Sequence, residues 1–295
     1  MIRIFKNTKI DFIGMRKYTY ALSGALIIMG IVSIIAHKGL RYGIDFTGGS
    51  IVELHFEQPI EVGEIRGKLA TIGIRDAIVQ EEKGTTYNYL IKTPPKEGIG
   101  EEIANLFNPR PTVEREELVG PSVSQGFKMR AVLVVVLGWI MILIYVSIRF
   151  TFRWGVAAVA SLVHDVLITA GFVSLFNKEF NTAIVAALLT IIGYSINDSI
   201  VVSDRVRENL RILKKNTLPE IVNLSVNQTL SRTTLTSLTT LFVLIALFLF
   251  GGRVIHDFAF ALIVGIVVGT YSSVYVVAAL VVAWEGKAPS KAVRR

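Results

Sequence analysis

The sequence has no cysteine and few charges. Of its 295 residues, 18% are charged, 52% are apolar, and the mean hydropathy is +0.55. Without cysteine there is no disulfide, no cysteine-ligated zinc or iron–sulfur site and no thiol nucleophile. The nucleotide-binding pattern GxxxxGK[ST] is also absent, so an ATPase is not expected. Soluble proteins carry about 25% charged residues, and the composition therefore argues against a soluble enzyme.

The chain contains several long apolar segments. A helix that crosses a membrane needs about 20 apolar residues. The first run is too long for the apolar part of a signal peptide and ends in a poor cleavage site, so we expect an uncleaved anchor. The sequence predicts six transmembrane helices, at 18–36, 131–148, 154–176, 181–202, 233–250 and 258–284.

The positive charges predict the orientation of these spans. The net charge of +8 would alone suggest a nucleic-acid partner, but most lysines and arginines flank alternate ends of the spans. Such residues accumulate in cytoplasmic segments. We therefore expect a cytoplasmic N-terminus (1–17), a five-helix region at 131–284, a cytoplasmic tail (285–295) and no nucleic-acid partner.

The segment 37–130, between the first two spans, has the composition of a soluble domain. Alternating apolar residues predict strands, and apolar residues on one side of a turn predict helices. The resulting β-α-β-β-α-β order is typical of the ferredoxin-like fold, and its acids resemble a solvated face rather than a catalytic cluster. The predicted strands are 50–57, 74–82, 87–93 and 112–119, the helices are 62–71 and 100–107, and a turn falls at Gly84-Thr85.

Two charges near the cytoplasmic ends of neighbouring spans stand out. At about 1.5 Å per residue, Asp198 lies roughly 25 Å from the outer end of its span, and Arg232 opens the next, antiparallel span at a similar depth. A charge in a span costs about 2.5–3.5 kcal/mol, and pairing the two would lower that cost. The pair fits a proton-driven switch or, equally, a static ion pair. Asn197, Ser195 and Thr233 would give polar support.

His164 and Asp165 lie near the middle of the third span. As neighbours on a helix they point about 100° apart, so the two alone cannot form a metal site, and we expect none. His164 is compatible with a packing role. Asp165 needs a partner or a proton and is a candidate second member of a proton relay. In the sixth span, Gly265 and Gly269 form a GxxxG pair that predicts close helix packing.

Several motifs together resemble the SecF family of protein-export membrane proteins. The six spans with a large insert after the first agree with that family's plan, and the resemblance extends from about residue 12 to 284. The motifs are 45–49 (DFTGG), 164–166 (HDV), 193–198 (GYSIND), the stretch 200–209 and 227–233 (NQTLSRT).

This resemblance implies a function in the cell inner membrane. The chain would pair with SecD as half of a twelve-span unit related to resistance–nodulation–division (RND) exporters. The unit would act at the SecYEG channel on translocating preproteins, with protons as the coupling ion and no cofactor. Asp198 and Arg232 would be the proton-relay pair. Asp45, Gly48 and Gly49 would form the hinge of the extracytoplasmic domain, with an ordinary linker as the alternative.

Two other functions remain open at this point. The chain could be a passive scaffold that stabilises SecD and the channel, in which case the ion pair is structural. It could also be half of a small-molecule exporter, although the insert is small for a drug-binding domain and shows no aromatic-rich pocket segment.

Overall fold

The computed structural model describes residues 8–81 and 87–285. The chain divides into two compact units: Tyr42–Val132, and a second unit formed by the residues before and after it. The elements are α1 (Arg16–Ala36), α2 (Ile44–Thr47), β1 (Gly49–His55), α3 (Val62–Thr71), β2 (Ile78–Glu81), β3 (Asn88–Thr93), α4 (Ile99–Ala104), β4 (Thr112–Val119), α5 (Pro121–Arg149), α6 (Phe152–Leu175), α7 (Thr182–Ile212), α8 (Leu218–Phe250), α9 (Arg253–Ser272), a π-helical segment (Ser273–Val277) and α10 (Ala278–Glu285).

The six predicted spans are confirmed within the described residues. Six helical stretches there are long and apolar enough to cross a membrane: α1, α5, α6, α7, α8 and the run Ile255–Trp284 through α9, the π-helical segment and α10. The chain is thus a mostly helical, multi-pass membrane protein.

Three of these helices are much longer than predicted. Helix α5 begins ten residues before the predicted span, at Pro121; α7 runs on to Ile212; and α8 begins at Leu218. Hydropathy detects only the continuously apolar part of a helix, whereas backbone hydrogen bonding continues past it. At the start of α8, Thr217 and Glu220 form a capping box, which satisfies free backbone N–H groups at the helix N-terminus.

The unit Tyr42–Val132 contains one antiparallel sheet in the order β2-β3-β1-β4. Its strands and the helices α3 and α4 follow one another in the predicted order. Ile65 of α3 and Ile103 of α4 share a buried cluster with Val52 and Ile91 of the sheet. Val52 and Ile91 are directly opposite each other on β1 and β3 and therefore point to the same face, so both helices cover the same side of the sheet.

One predicted strand in this unit starts too early. The strand expected from residue 74 begins at Ile78, because residues 72–74 terminate α3: the N–H of Ile74 donates to Leu69 O at 3.0 Å. Gly73 there has φ +84°, which a strand does not use. The predicted turn Gly84-Thr85, the end of this strand at residue 82, and the tail from 286 lie outside the described residues, as do residues 1–7.

The predicted hinge residues lie at the entrance to β1. Asp45 is in the short helix α2; Gly48 caps it with φ +75°, and Gly49 opens β1 with φ +140°. Glycine adopts such angles without steric cost. A Cβ on Gly49 would also lie 2.9 Å from Thr93 O. The two glycines are therefore required by local backbone geometry; their role as a hinge stays a prediction.

In the membrane unit, a polar layer separates two apolar clusters. On α6, α7 and α8, one apolar cluster occupies one end of the helix and the second the other end. Between them lie buried polar side chains, which we call the polar layer: Ser161, His164 and Asp165 on α6, Ser195, Asp198 and Ser199 on α7, Thr233 and Ser237 on α8, and Ser272 on α9.

Glycines allow the helices around this layer to pack closely. A Cβ on Gly30 of α1 would lie 2.9 Å from Gly171 Cα on α6, so these two helices meet backbone to backbone. A Cβ on Gly265 of α9 would overlap the side chain of Ile191 on α7. The GxxxG pair therefore has the predicted packing role.

Residues before α1 are attached to α8. The Phe12 N–H donates to Asn223 Oδ1 at 2.7 Å, and Asn223 Nδ2 donates to Ile10 O at 3.0 Å. Asn227 adds a second amide that binds Ile10 in the same way. Phe12 is buried, so part of the segment predicted as a cytoplasmic N-terminus belongs to the folded membrane unit.

Candidate functional site

Asp165 is the most extensively hydrogen-bonded acid of the polar layer. Its side chain is fully buried. His164 Nδ1 lies 2.9 Å from Asp165 Oδ1. Ser195 of α7 and Ser272 of α9 both donate to Asp165 Oδ2, at 2.7 Å and 2.8 Å. A single carboxyl group therefore connects three helices, and the partner that the sequence analysis required for Asp165 is present.

The network continues from His164 to α1. His164 Nε2 lies 3.0 Å from Ser23 Oγ, and Ser23 Oγ lies 3.1 Å from Tyr271 Oη. Tyr271 donates to the backbone carbonyl of Thr19 at 2.7 Å. Besides the packing role considered for it, His164 takes part in a hydrogen-bond network, since both of its ring nitrogens have partners.

Glycine 269 allows this network to form. A Cβ at Gly269 would lie 3.1 Å from Ser195 Cβ and 3.6 Å from Asp165 Oδ2. A side chain at this position would require Ser195 or α9 to shift by a few tenths of an ångström. The π-helical segment begins one residue after Ser272, and π-helical turns inside helices occur frequently at functional sites.

Asp198 has a different environment from Asp165. It is 2% exposed, and its Oδ2 is buried without a hydrogen-bond partner among the described residues. Thr233 Oγ1 on α8 and Ser161 Oγ on α6 are buried and unpaired in the same sense. Burying a carboxylate without a partner is costly, so this environment suits an uncharged Asp198.

The direct Asp198–Arg232 ion pair expected from the sequence is not formed. Both residues are described, the charge of Arg232 acts on Asp198 electrostatically, and yet no hydrogen bond or ion pair joins the two side chains. Arg232 is exposed, whereas Asp198 is buried. The reason is that Asp198 of α7 faces the interior of the helix bundle. Arg232 lies on the exposed side of α8, whereas its neighbour Thr233 is on the buried side.

The polar residues predicted to support Asp198 are placed differently from one another. Ser195, one helical turn from Asp198, donates to Asp165 instead. Asn197 is exposed. Thr233 is buried. Ser195 and Asp198 are three residues apart on α7 and therefore share its buried face. Asn197, adjacent to Asp198, lies on another face of the helix.

Sequence reasoning missed Ser23, Tyr271 and Ser272. Each is a hydroxyl residue in an otherwise apolar span, which is a weak signal because such groups often bind their own helix backbone. In 8–81 and 87–285, no group of three or more His, Asp or Glu side chains is placed to hold a metal ion.

This arrangement offers two carboxyl groups of opposite character at the centre of the bundle. Asp165 accepts hydrogen bonds from two serines of other helices, whereas Oδ2 of Asp198 has no partner among the described residues. Intramembrane ionisable residues of this kind mark ion and proton pathways.

Two family models match the chain. The model described as "Protein export membrane protein SecD/SecF, C-terminal" matches residues 99–287, and the "SecD/SecF GG Motif" matches residues 33–60, which include Gly48 and Gly49.

Curated relatives agree with these matches. The chain is 41% identical to the protein translocase subunit SecF of Calditerrivibrio nitroreducens, over 95% of this chain and 96% of that protein. It is 40% identical to SecF of Escherichia coli O157:H7, over 92% of this chain and 86% of that protein. It is also 44% identical to the subunit SecDF of Thermus thermophilus, of which it spans 39%.

Solved structures show the same relationship. The crystal structure of SecDF from Thermus thermophilus superimposes with a TM-score of 0.85 at 44% identity, covering 95% of this chain and 39% of that one. SecDF in a super-membrane-facing form gives 0.71 at 42% identity, covering 96% and 40%. The chain therefore belongs to the SecD/SecF family of protein-export membrane proteins.

Proposed function

We propose that this chain couples proton movement to protein export. It would act with SecD at the SecYEG channel of the inner membrane and promote translocation of preproteins without catalysing a reaction of its own. Its termini would be cytoplasmic and Tyr42–Val132 extracytoplasmic. The observation that carries the proposal is the buried Asp198, whose Oδ2 has no hydrogen-bond partner within the described part of the chain, although the cation of Arg232 is within electrostatic range.

Asp198 has the properties of a proton carrier. When protonated, the side chain is neutral and its burial is tolerated. When it loses the proton, the buried carboxylate needs a cation, and Arg232 is the candidate because its charge already acts on this carboxyl group. The long arginine side chain would then turn inward, so that the two protonation states differ in the packing of α7 against α8.

The available energy is sufficient to drive such a change. A proton that moves through a membrane potential of about 100 mV releases about 2.3 kcal/mol. This shifts a two-state equilibrium roughly fifty-fold. Each proton passing Asp198 therefore supplies enough free energy to bias the helices between two arrangements.

The unit Tyr42–Val132 would transmit this change to the exported chain. Its sheet order β2-β3-β1-β4 with two helices on one side supports the ferredoxin-like assignment. The glycines at the start of β1 would allow the unit to move. By the same family relationship, the six spans would form one half of an RND-like twelve-helix unit with SecD.

The test is export into membrane vesicles that contain the chain with SecD and SecYEG, with and without an uncoupler. Asp198→Asn keeps the size of the side chain but cannot lose a proton. We expect it to abolish the uncoupler-sensitive part of export. Asp204→Asn is the matched control: it is also on α7, but half-exposed and paired with Arg149 at 3.0 Å, and we expect it to export normally.

A passive scaffold predicts a different result. A scaffold needs no exchangeable proton at Asp198, so Asp198→Asn would then export like Asp204→Asn both with and without the uncoupler. Uncoupler-sensitive export by Asp198→Asn, at the level of the control, would show that Asp198 is not the proton carrier.

A further inference from the structure

The hydrogen-bond chain from α1 to Asp165 determines where its protons are. Three of its contacts involve groups that either donate or accept: Ser23, Tyr271 and the two ring nitrogens of His164. A fourth has only one possible direction, because the carbonyl of Thr19 can only accept. The single hydrogen of Tyr271 is thus committed to Thr19 O at 2.7 Å.

The remaining directions follow from this one. With its hydrogen used, Tyr271 can only accept in its contact with Ser23, so the Ser23 hydroxyl must donate to it. Ser23 then has no hydrogen left for His164, and the contact of 3.0 Å requires that Nε2 of His164 carries a proton and donates.

A proton on Nε2 has a consequence at the other ring nitrogen. If His164 were neutral with its proton on Nε2, Nδ1 would present a lone pair to Asp165 Oδ1. At 2.9 Å two lone pairs repel, and so this contact needs a hydrogen of its own. Either imidazolium Nδ1–H donates to the carboxylate, or the protonated carboxyl donates to Nδ1.

We infer that His164 and Asp165 together form a second proton-binding site, with one exchangeable proton held between Nδ1 and Oδ1. The ligand is the proton itself, and it binds from and returns to the aqueous phase through polar groups of the bundle. When it leaves, Nε2 must lose its role as donor, Ser23 must turn toward the ring, and the Ser23–Tyr271 bond is lost. Proton occupancy is therefore linked to the direction of the whole chain.

The site is connected to the helix that carries Asp198. Ser195 and Ser272 donate to the other oxygen of Asp165, and a carboxylate accepts such bonds more strongly than a carboxylic acid. Binding of the proton thus changes the strength of the hydrogen bond between Ser195 of α7 and Asp165, one helical turn from Asp198. The role of this site in export rests on the proposed function. The number of protons that the site holds is argued from geometry alone.

The charged and titratable groups that face the pair are few. From α9 it is Tyr271, stacked 6.3 Å from the His164 ring, while Tyr275 of the π-helical segment packs on Tyr271 at 5.3 Å. On α7, the helix that donates through Ser195, the buried charged group is Asp198. On α1, Tyr20 is 36% exposed. Among the described residues, no lysine or arginine forms an ion pair with His164 or Asp165. The proton is therefore retained by hydrogen bonding within the network rather than displaced by a nearby cation.

The experiment is ¹⁵N NMR of the full chain labelled at histidine. The chain has four histidines, so His164 can be assigned by comparison with His164→Gln. We expect a protonated Nε2 at neutral pH, together with a hydrogen at the Nδ1–Oδ1 contact. A bare Nε2 with the only proton on Nδ1 would overturn the inference.

Two variants sharpen the result. Tyr271→Phe frees the Ser23 hydroxyl to donate to Nε2, and the tautomer with a bare Nε2 should rise about tenfold. Tyr275→Phe, which removes a hydroxyl one helical turn away, should leave the signal unchanged. Equal spectra for the two variants would contradict the proposed direction of the chain. Because the readout is the position of a proton, it is independent of whether Asp198→Asn exports.

Discussion

Ser195 of α7 donates to Asp165 of α6 at 2.7 Å, one helical turn from Asp198. The bond joins α6, which carries the buried Asp165, to α7, which carries the buried Asp198. Among the described residues, no side chain bonds to both acids. Any change that separates α7 from α6 at this point disturbs both acids.

Gly269→Ala tests how closely the helices must approach around this bond. The added methyl group would lie 3.1 Å from Ser195 Cβ, and relieving that contact separates α9 from α7. We expect the free energy of unfolding to fall by about 1–3 kcal/mol, measured by thermal unfolding in detergent.

Gly193→Ala is the matched control on α7. A Cβ there meets no heavy atom within 4 Å, and alanine favours a helix over glycine by up to about 1 kcal/mol. Equal melting temperatures for the two variants would show that Gly269 is not required for close packing.

Gly49→Ala tests the entrance to β1. With φ +140° and a Cβ 2.9 Å from Thr93 O, alanine would be strained by about 1–3 kcal/mol. We expect faster hydrogen exchange of the β1 amides in the full chain. The control is Gly63→Ala in α3, where a Cβ meets nothing within 4 Å. It should leave hydrogen exchange of the β1 amides unchanged or slow it. Unaltered β1 exchange in Gly49→Ala would refute the requirement for glycine.

Asn223→Ala tests the attachment of the N-terminal segment to α8. The variant removes the bond from Phe12 N at 2.7 Å and the bond to Ile10 O at 3.0 Å, each worth about 0.5–1.5 kcal/mol. We expect residues 8–15 to exchange hydrogen faster by mass spectrometry. Asn216→Ala, at an exposed position before α8 with a 3.3 Å bond to Glu220, should not have this effect; if both variants behave alike, Asn223 does not anchor the segment.

Local patterns predicted the elements well and their ends poorly. The helix 62–71 and the strand 112–119 agree with α3 and β4 at both ends, because apolar spacing and secondary structure are set by the same few residues. The extension of α5 back to Pro121 was not predictable from hydropathy, since that part of the helix is not continuously apolar. The late start of β2 depends on how α3 terminates, which no strand pattern records.

The candidate site was predictable only in part, for a related reason. An acid in an apolar run is conspicuous in a sequence, and so Asp165, Asp198 and His164 were found. Their partners are ordinary serines and a tyrosine on other helices, and nothing near Ser23 or Ser272 in the sequence distinguishes them from hydroxyls bonded to their own backbone.

The amino-acid sequence alone determined that this chain crosses a membrane six times, that it carries a small α+β insert, and that ionisable groups lie inside its spans. These properties depend on residue type and on spacing along one segment. Only the tertiary structure decided that Asp165 bonds to side chains of three helices, while Asp198 is buried with no partner for its Oδ2 among the described residues and Arg232 is exposed. Hydrogen bonds extend over about 3 Å, so their partners are chosen by how glycine-lined helices pack against each other and not by the order of residues along the chain.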